Sequence, residues 1–429
     1  MKTILSVLCV TFACAADAVQ FRITSDHADA LYRLGEEATF RVEAYETNGV
    51  PVRGKATVRL DNFGDRVFST RTVDLAKEPT FSVKGQMDRP GFLMLRVSSG
   101  KTRAEFGVGY DPDALKPYQP CPADFDAFWA NAIARYDADV TAPIKATKVD
   151  PGRIRGRELY ELRIPTVGNR EVWGYLSVPT AKKGPYPLIV NVPGAGPCSF
   201  CERGDDKAIY LTVTVHYYAP KRGIKYKGPE SNALQKLEDE VYAKKYPVKN
   251  VRYTQCGIAV SREDYFYYGV ILAANRAINW AASRPDVDPA RVKYTGGSQG
   301  GGFGLILTAL NKRIRKAVIL VPAITDHLCF KIDQREAGWP RLIDGQLPEN
   351  RAAAEKNAPY FDGVNFASRI TVPVRFSVGF IDTVCPPHAG YTAYNVCPSK
   401  DKAIRCGIAQ THSVLPEIRN ELSAWLNAD

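Results

Sequence analysis

The sequence predicts an α/β chain: a doubly wound, mostly parallel sheet, preceded by a small all-β, immunoglobulin-like sandwich. Three observations carry this. Uninterrupted apolar runs at residues 186–192 and 317–321 read as strands covered on both faces, and a helical pattern at 265–283 stands between them. Residues 19–110 instead hold short, often alternating runs divided by turn residues. Between these patterns, residues 291–310 pass from an alternating strand through a glycine cluster into an apolar helix.

A chain of 429 residues accommodates two domains after a leader. With 45% hydrophobic and 24% charged residues it has ample core material, which excludes a largely disordered chain. Lys2 precedes an apolar stretch at 4–14, and Ala13, Ala15, Ala16 and Ala18 supply small residues for cleavage. Residues 1–18 are therefore expected to be a signal peptide, and the mature protein secreted or periplasmic. Thr11 and Phe12 before Cys14 do not suit a lipobox. No later apolar run approaches the length of a membrane span.

Eight cysteines follow the leader: Cys121, Cys198, Cys201, Cys256, Cys329, Cys385, Cys397 and Cys406. In an oxidising compartment this even number permits disulfides of undetermined pairing. Cys198 and Cys201 are spaced as C-x-x-C, read either as a local disulfide or as two free thiols. A second such pair, which zinc would need, is missing.

The formal net charge is +11. Residues 19–110 carry 14 basic and 12 acidic side chains, whereas residues 221–252 alone carry nine basic against four acidic. One concentrated basic insertion, with no RNA or DNA motif beside it, reads as a solvated loop or a contact for acidic glycan rather than a nucleic-acid face.

Taken in order, residues 19–110 show strand runs at 39–45, 56–60, 80–84 and 91–97, with turns at Asn48-Gly49, Gly64-Asp65 and Pro90-Gly91. The spacing fits a sandwich of about seven strands. A polysaccharide-binding module, a spacer and an oligomerisation unit all suit it. Residues 111–122, with Pro112, Pro117, Pro120 and Pro122, read as a stiff linker, and 123–429 as the larger domain. That domain opens on a helix at 123–136 with an apolar stripe of Phe125, Phe128, Trp129, Ala132, Ile133 and Tyr136. Paired strands are expected at 159–165 and 171–178, then strands at 186–192, 209–216, 374–379 and 403–407, with a last helix closing the chain.

Gly296-Gly297-Ser298-Gln299-Gly300 fits G-x-S-x-G, the nucleophile elbow of the α/β-hydrolase fold. Glycines suit it because side chains there would collide with the flanking strand and helix. The cluster at 296–302 reads as too glycine-rich for strand or ordinary helix. Ser298 is the expected nucleophile. The Gln299 N–H, at a helix N-terminus, and the Ala195 N–H, in the Pro193-Gly194-Ala195 turn after an early strand, are the expected oxyanion donors. Asp382 follows the strand at 374–379, where the acid of a triad belongs, and His412 follows the last strand. The order Ser298, Asp382, His412 is that of α/β-hydrolases. Asp326 is the alternative acid, and His27, His216, His327 and His388 are the other histidines. No cluster with metal-ligand spacing stands out, so neither metal nor cofactor is expected.

Beyond these single motifs, residues 115–427 resemble the acetyl xylan esterase and cephalosporin C deacetylase family. Four separated stretches carry the likeness: 280–292 (Trp-Ala-Ala-Ser-Arg-Pro-Asp-Val-Asp-Pro-Ala-Arg-Val), the elbow at 296–301, 360–366 (Tyr-Phe-Asp-Gly-Val-Asn-Phe) and 382–387 (Asp-Thr-Val-Cys-Pro-Pro). The resemblance implies a serine esterase that removes acetyl groups from xylose units. Its expected partners are an acetylated polysaccharide or oligosaccharide and, in a homo-oligomer, further copies of the chain. Three stretches depart from the family. Pro193-Gly194-Ala195 stands where it has His-Gly-Tyr, His216-Tyr217-Tyr218 near its Arg-Gly-Gln, and His412-Ser413 in place of His-Glu. A serine peptidase of related fold and a non-catalytic carbohydrate-binding protein with a relict site are the other readings.

Overall fold

The computed structural model describes residues 19–47, 49–118, 120–152, 154–181, 184–196, 205–219, 229–246, 248 and 252–428. The expected signal peptide at 1–18 and the Cys198/Cys201 pair lie outside the described residues. No disulfide joins any two of the six described cysteines, Cys121, Cys256, Cys329, Cys385, Cys397 and Cys406, so the pairings that an even cysteine count permits are not formed among them.

The chain begins with eight strands: β1 (Gln20–Ser25), β2 (Leu31–Tyr32), β3 (Ala38–Tyr45), β4 (Lys55–Asp61), β5 (Val67–Asp74), β6 (Thr80–Gly85), β7 (Gly91–Ser99) and β8 (Thr102–Tyr110). They form one sheet in the order β1-β3-β6 and another in the order β2-β8-β7-β4-β5. Period-two alternation in β3 and β6 buries Phe40, Val42, Phe81 and Val83. These share a core with Val58, Leu60, Leu95 and Phe106 of the other sheet. The runs expected at 39–45, 56–60, 80–84 and 91–97 are β3, β4, β6 and β7. Strand β5 carries no such signal because it is an edge strand, exposed over most of its length.

A second sheet system follows: β9 (Lys145–Val149), β10 (Arg157–Thr166), β11 (Arg170–Pro179), β12 (Tyr186–Asn191), β13 (Ile209–Val213), β14 (Val287–Gly297), β15 (Lys316–Leu320), β16 (Val374–Gly379) and β17 (Lys402–Gly407). These nine pair in the order β17-β16-β15-β14-β12-β13-β11-β10-β9. All pairs from β13 to β17 are parallel, and β9 to β11 add an antiparallel edge. The strand order reverses around β12, and the crevice at the carboxyl ends beside such a reversal is where open α/β sheets bind ligands.

The helices are α1 (Phe125–Asp139), α2 (Pro229–Lys245), α3 (Phe266–Ala282), α4 (Gln299–Leu310), α5 (Arg351–Asn357), α6 (Gly363–Ala367), α7 (Pro387–Val396) and α8 (Pro416–Asn427). Helix α1 buries Phe125, Trp129, Ala132 and Tyr136 of its predicted stripe, and α3 is apolar nearly all round because sheet and helices enclose it. Helix α8 lays Ile418, Leu422 and Leu426 on Val318 and Leu320 of β15. The described part of the basic insertion is helix α2, not the loop expected there. Glu230 in its first turn and Lys244 and Lys245 in its last complement the helix dipole.

The two sheet systems share a core. Val378, Phe380, Ile381 and Tyr391 belong to the same apolar cluster as Phe92, Phe106 and Val108. The Phe92 ring lies 5.1 Å from that of Phe380 and 5.5 Å from that of Tyr391. Backbones touch as well: a Cβ added to Gly107 would stand 1.9 Å from the Phe380 carbonyl oxygen. Around this seam Arg66 pairs with Asp333 at 2.7 Å, and Arg335 donates to the Pro90 carbonyl at 2.6 Å. The proline-rich stretch after β8 is docked too, since Asn395 Nδ2 donates to the carbonyls of Pro112 and Leu115.

Candidate active site

Strand β14 runs through Gly297, and α4 starts at Gln299, so the glycines expected to interrupt regular structure belong to it instead. Glycine is required by contact. A Cβ at Gly300 would meet the Val192 carbonyl oxygen at 2.0 Å, at Gly301 that of Leu320 at 2.6 Å, and at Gly302 that of Ala323 at 2.5 Å. Helix α4 can therefore sink onto the ends of β12 and β15. Between strand and helix, Ser298 adopts φ 58° and ψ −123°. A non-glycine residue held there stores roughly 1–3 kcal/mol of strain, which the surroundings must offset. They do so through three backbone hydrogen bonds: Ser298 N–H to the Leu320 carbonyl, and Gly302 and Ala323 N–H to the Ser298 carbonyl, each 3.0 Å.

The turn after β16 delivers Asp382, and the loop after β17 delivers His412. His412 Nε2 lies 2.8 Å from Ser298 Oγ, and Nδ1 lies 2.9 Å from Asp382 Oδ2. Asp382 is fully buried, and its other oxygen accepts the N–H groups of Val384 (2.8 Å) and Cys385 (2.9 Å). With one carboxylate oxygen held by the backbone, the other is aimed at the imidazole. The acid and histidine loops are also locked together, because Ile381 N–H donates to the Gln410 carbonyl at 3.2 Å. Thus the three side chains expected to work together are brought into one hydrogen-bonded line.

The remaining candidates fall elsewhere. Asp326 is buried beside Asp362 and makes no hydrogen bond to His412. Burial first, and then the Asp362 charge, push its carboxyl up to about 7. His388, buried and near Arg335, is pushed down to about 3 and bonds the Glu336 carbonyl. His27 stacks on Tyr32, and burial lowers the basicity of His327. His216 reaches the Gly196 carbonyl at 3.0 Å. Two of the stretches that depart from the family, 193–195 and 216–218, therefore meet around one loop.

That loop, Pro193 to Gly196, follows β12 and lies against the start of α4. The Gln299 side chain is completely buried there, a placement that a reading of its backbone N–H alone did not include. Its Nε2 donates to the carbonyls of Pro193 (3.2 Å) and Gly194 (3.4 Å). Its Oε1 accepts from the hydroxyls of Tyr267 (2.7 Å) and Tyr253 (3.1 Å). Tyr253 in turn accepts the Gly196 N–H at 3.4 Å. A glutamine directly after Ser298 was the only sequence signal for this network.

Residues 113–428 match the acetyl xylan esterase (AXE1) family. The chain belongs to that family. It is accordingly a carboxylic-ester hydrolase. It is 31% identical over 410 residues to the acetyl esterase Axe7A of Xylanibacter ruminicola, a match covering 94% of this chain and 88% of that protein. The match therefore takes in most of the β-rich segment that precedes residue 113. Among solved structures the chain resembles an acetyl xylan esterase from Paenibacillus sp. R4, with TM-score 0.58 and 23% identity over 73% of this chain and 97% of that one. It likewise resembles acetyl xylan esterase 1 from Thermoanaerobacterium sp. JW/SL YS485, with TM-score 0.57 and 22% identity over 74% and 96%. These two likenesses bear on the fold, a mixed α/β sheet of α/β-hydrolase type.

Proposed function

We propose that the protein is a serine esterase that removes acetyl groups from polysaccharide or oligosaccharide through an acyl-enzyme. The observation that carries this is the continuous line Ser298 Oγ, His412 Nε2, His412 Nδ1, Asp382 Oδ2, with both contacts under 3 Å. In this mechanism Ser298 Oγ attacks the acetyl carbonyl while its proton passes to His412 Nε2. Asp382 holds the Nδ1–H tautomer and balances the imidazolium. The N–H groups of Gln299 and Ala195 receive the oxyanion, with the positive end of the α4 dipole behind Gln299. Collapse breaks the bond to the sugar oxygen, which takes the proton from Nε2. Water then attacks the acetyl-serine, gives its proton to Nε2, and releases acetate as Ser298 recovers its hydrogen.

The same reading makes the chain an exported protein with a leader at 1–18. It treats 19–110 as an immunoglobulin-like domain, 111–122 as its connection and 123–429 as the esterase domain. Family membership supports an acetylated carbohydrate as substrate, and the likeness to the acetyl esterase Axe7A supports an acetyl ester. The test is hydrolysis of 4-nitrophenyl acetate and release of acetate from acetylated xylan by wild type and Ser298→Ala. Wild type should do both, and the variant should lose at least about three orders of magnitude in kcat. Equal activity or equal inertness of the two would sink the proposal.

A further inference from the structure

We infer that the Gln299 side chain is the positioning residue of the oxyanion hole. It sets the peptide plane that presents the Ala195 N–H, while the same residue's backbone N–H supplies the other donor. This deepens the esterase reading and rests on it.

The carbonyl of Gly194 and the N–H of Ala195 belong to one peptide unit. That unit is planar and trans, so its C=O and N–H point in opposite directions. Gln299 Nε2 holds the Gly194 oxygen at 3.4 Å, and the preceding carbonyl, that of Pro193, at 3.2 Å. Fixing the oxygen ends of two successive peptides fixes the direction of the N–H between Gly194 and Ala195. It also polarises that N–H, because a hydrogen bond accepted by the carbonyl strengthens the donor across the same amide. Loss of the clamp removes two hydrogen bonds from a turn that contains Gly194, whose backbone has the widest conformational range of any residue.

The amide of Gln299 has only one sensible orientation. Its Oε1 faces two hydroxyls, those of Tyr267 and Tyr253, which can donate. Exchanging Oε1 and Nε2 would set an acceptor oxygen against the two carbonyl oxygens of Pro193 and Gly194. The tyrosines thus aim Nε2 at the loop. Tyr253 has a second hold, as its hydroxyl accepts the Gly196 N–H, and His216 Nε2 contacts the Gly196 carbonyl. Three side chains anchor a loop whose sequence lacks the family's His-Gly-Tyr. Gln299 is the one that joins it directly to the nucleophile.

The test uses full-length enzyme and three variants: Gln299→Met, which keeps the length and removes the amide, and Tyr267→Phe and Tyr253→Phe, which remove one hydroxyl each. Three quantities are measured: kcat and KM on 4-nitrophenyl acetate, and the inhibition constant of a trifluoromethyl ketone that adds to Ser298 to form a tetrahedral oxyanion. Removing an oxyanion donor outright costs about 10²–10³ in kcat. Disorienting one should cost Gln299→Met about 10–100-fold in kcat with KM little changed, and each tyrosine variant a smaller loss in the same direction. The ketone should weaken by the same factor as kcat/KM in every variant. A merely structural role would lower the melting temperature but leave ketone affinity of the folded protein unaltered, and that result overturns the inference. Should Gln299→Met fail to fold, the shape-conserving Tyr267→Phe decides alone. Wild type and Ser298→Ala run alongside. If they are equally inert or equally active, the esterase reading falls and takes this inference with it. If they differ as expected while Gln299→Met keeps wild-type kcat and ketone affinity, only the positioning role is refuted.

Discussion

Replacing Gly107 with alanine perturbs the proposed site from the other sheet system. The new Cβ would sit 1.9 Å from the Phe380 carbonyl oxygen and 2.8 Å from its carbon, where ordinary contact begins at 3.4 Å. About 1.5 Å must be found by moving backbone, since neither clashing atom is the end of a flexible side chain. Strand β8 is paired along its length with β7, so much of the shift falls on the turn that carries Phe380, Ile381 and Asp382. Overpacking of this kind costs roughly 1–3 kcal/mol of stability. A misplacement of about 1 Å at a catalytic group can cost on the order of 100-fold in rate. Gly107→Ala should therefore fold, melt several degrees lower, and lose about 10–100-fold in kcat on a small acetate ester with KM nearly unchanged. Thr70→Ala, on the exposed edge strand β5, serves as the control and should match wild type. A folded Gly107→Ala enzyme with wild-type kcat would show that the β-rich unit does not hold the acid loop, and the reasoning would fail.

Two further outcomes are expected. Burial and the neighbouring Asp362 raise the Asp326 carboxyl to about 7 from the ordinary 3.8, so the fold favours its protonated form. That contribution is full below about pH 4 and is lost as pH climbs towards 7, a swing on the order of 2–4 kcal/mol. Asp326→Asn should flatten the decline and equal or exceed wild-type melting temperature at pH 8, whereas parallel pH curves would contradict it. The hydrolysis proposed for Ser298 and His412 requires no Lewis acid, so activity should persist in EDTA, and a loss reversed by added zinc would expose a metal-dependent step.

The meeting of Ser298, Asp382 and His412 was legible in the sequence because each signal is local. A glycine-flanked serine follows an alternating strand, and Asp382 and His412 each sit just past the end of a later strand, the edge where parallel sheets collect their site residues. The hydrogen bonds at 2.8 and 2.9 Å follow from that placement. The glycine cluster misled for a physical reason. Taken alone, Gly300, Gly301 and Gly302 disfavour a helix, but the cost is offset where the carbonyls of Val192, Leu320 and Ala323 approach too closely for any Cβ.

What was illegible depends on contacts between distant segments. No pattern within residues 91–110 announces that Phe92 and Gly107 will meet Phe380, nor does any pattern near 380 announce a need for them. The same holds for Gln299: its neighbours in sequence mark the elbow, but Tyr253, Tyr267 and the carbonyls at 193 and 194 come from three other segments. Both contacts place a distant part of the chain against the backbone of a loop rather than against a reacting atom. In this fold the groups that would act on substrate sit on strand ends that sequence can mark, while the groups that hold those ends in register arrive from elsewhere. A β-rich unit sharing a core with Phe380 and Ile381 is therefore better understood as a wall of the acid loop than as a tethered accessory, and Gly107→Ala tests this wall directly.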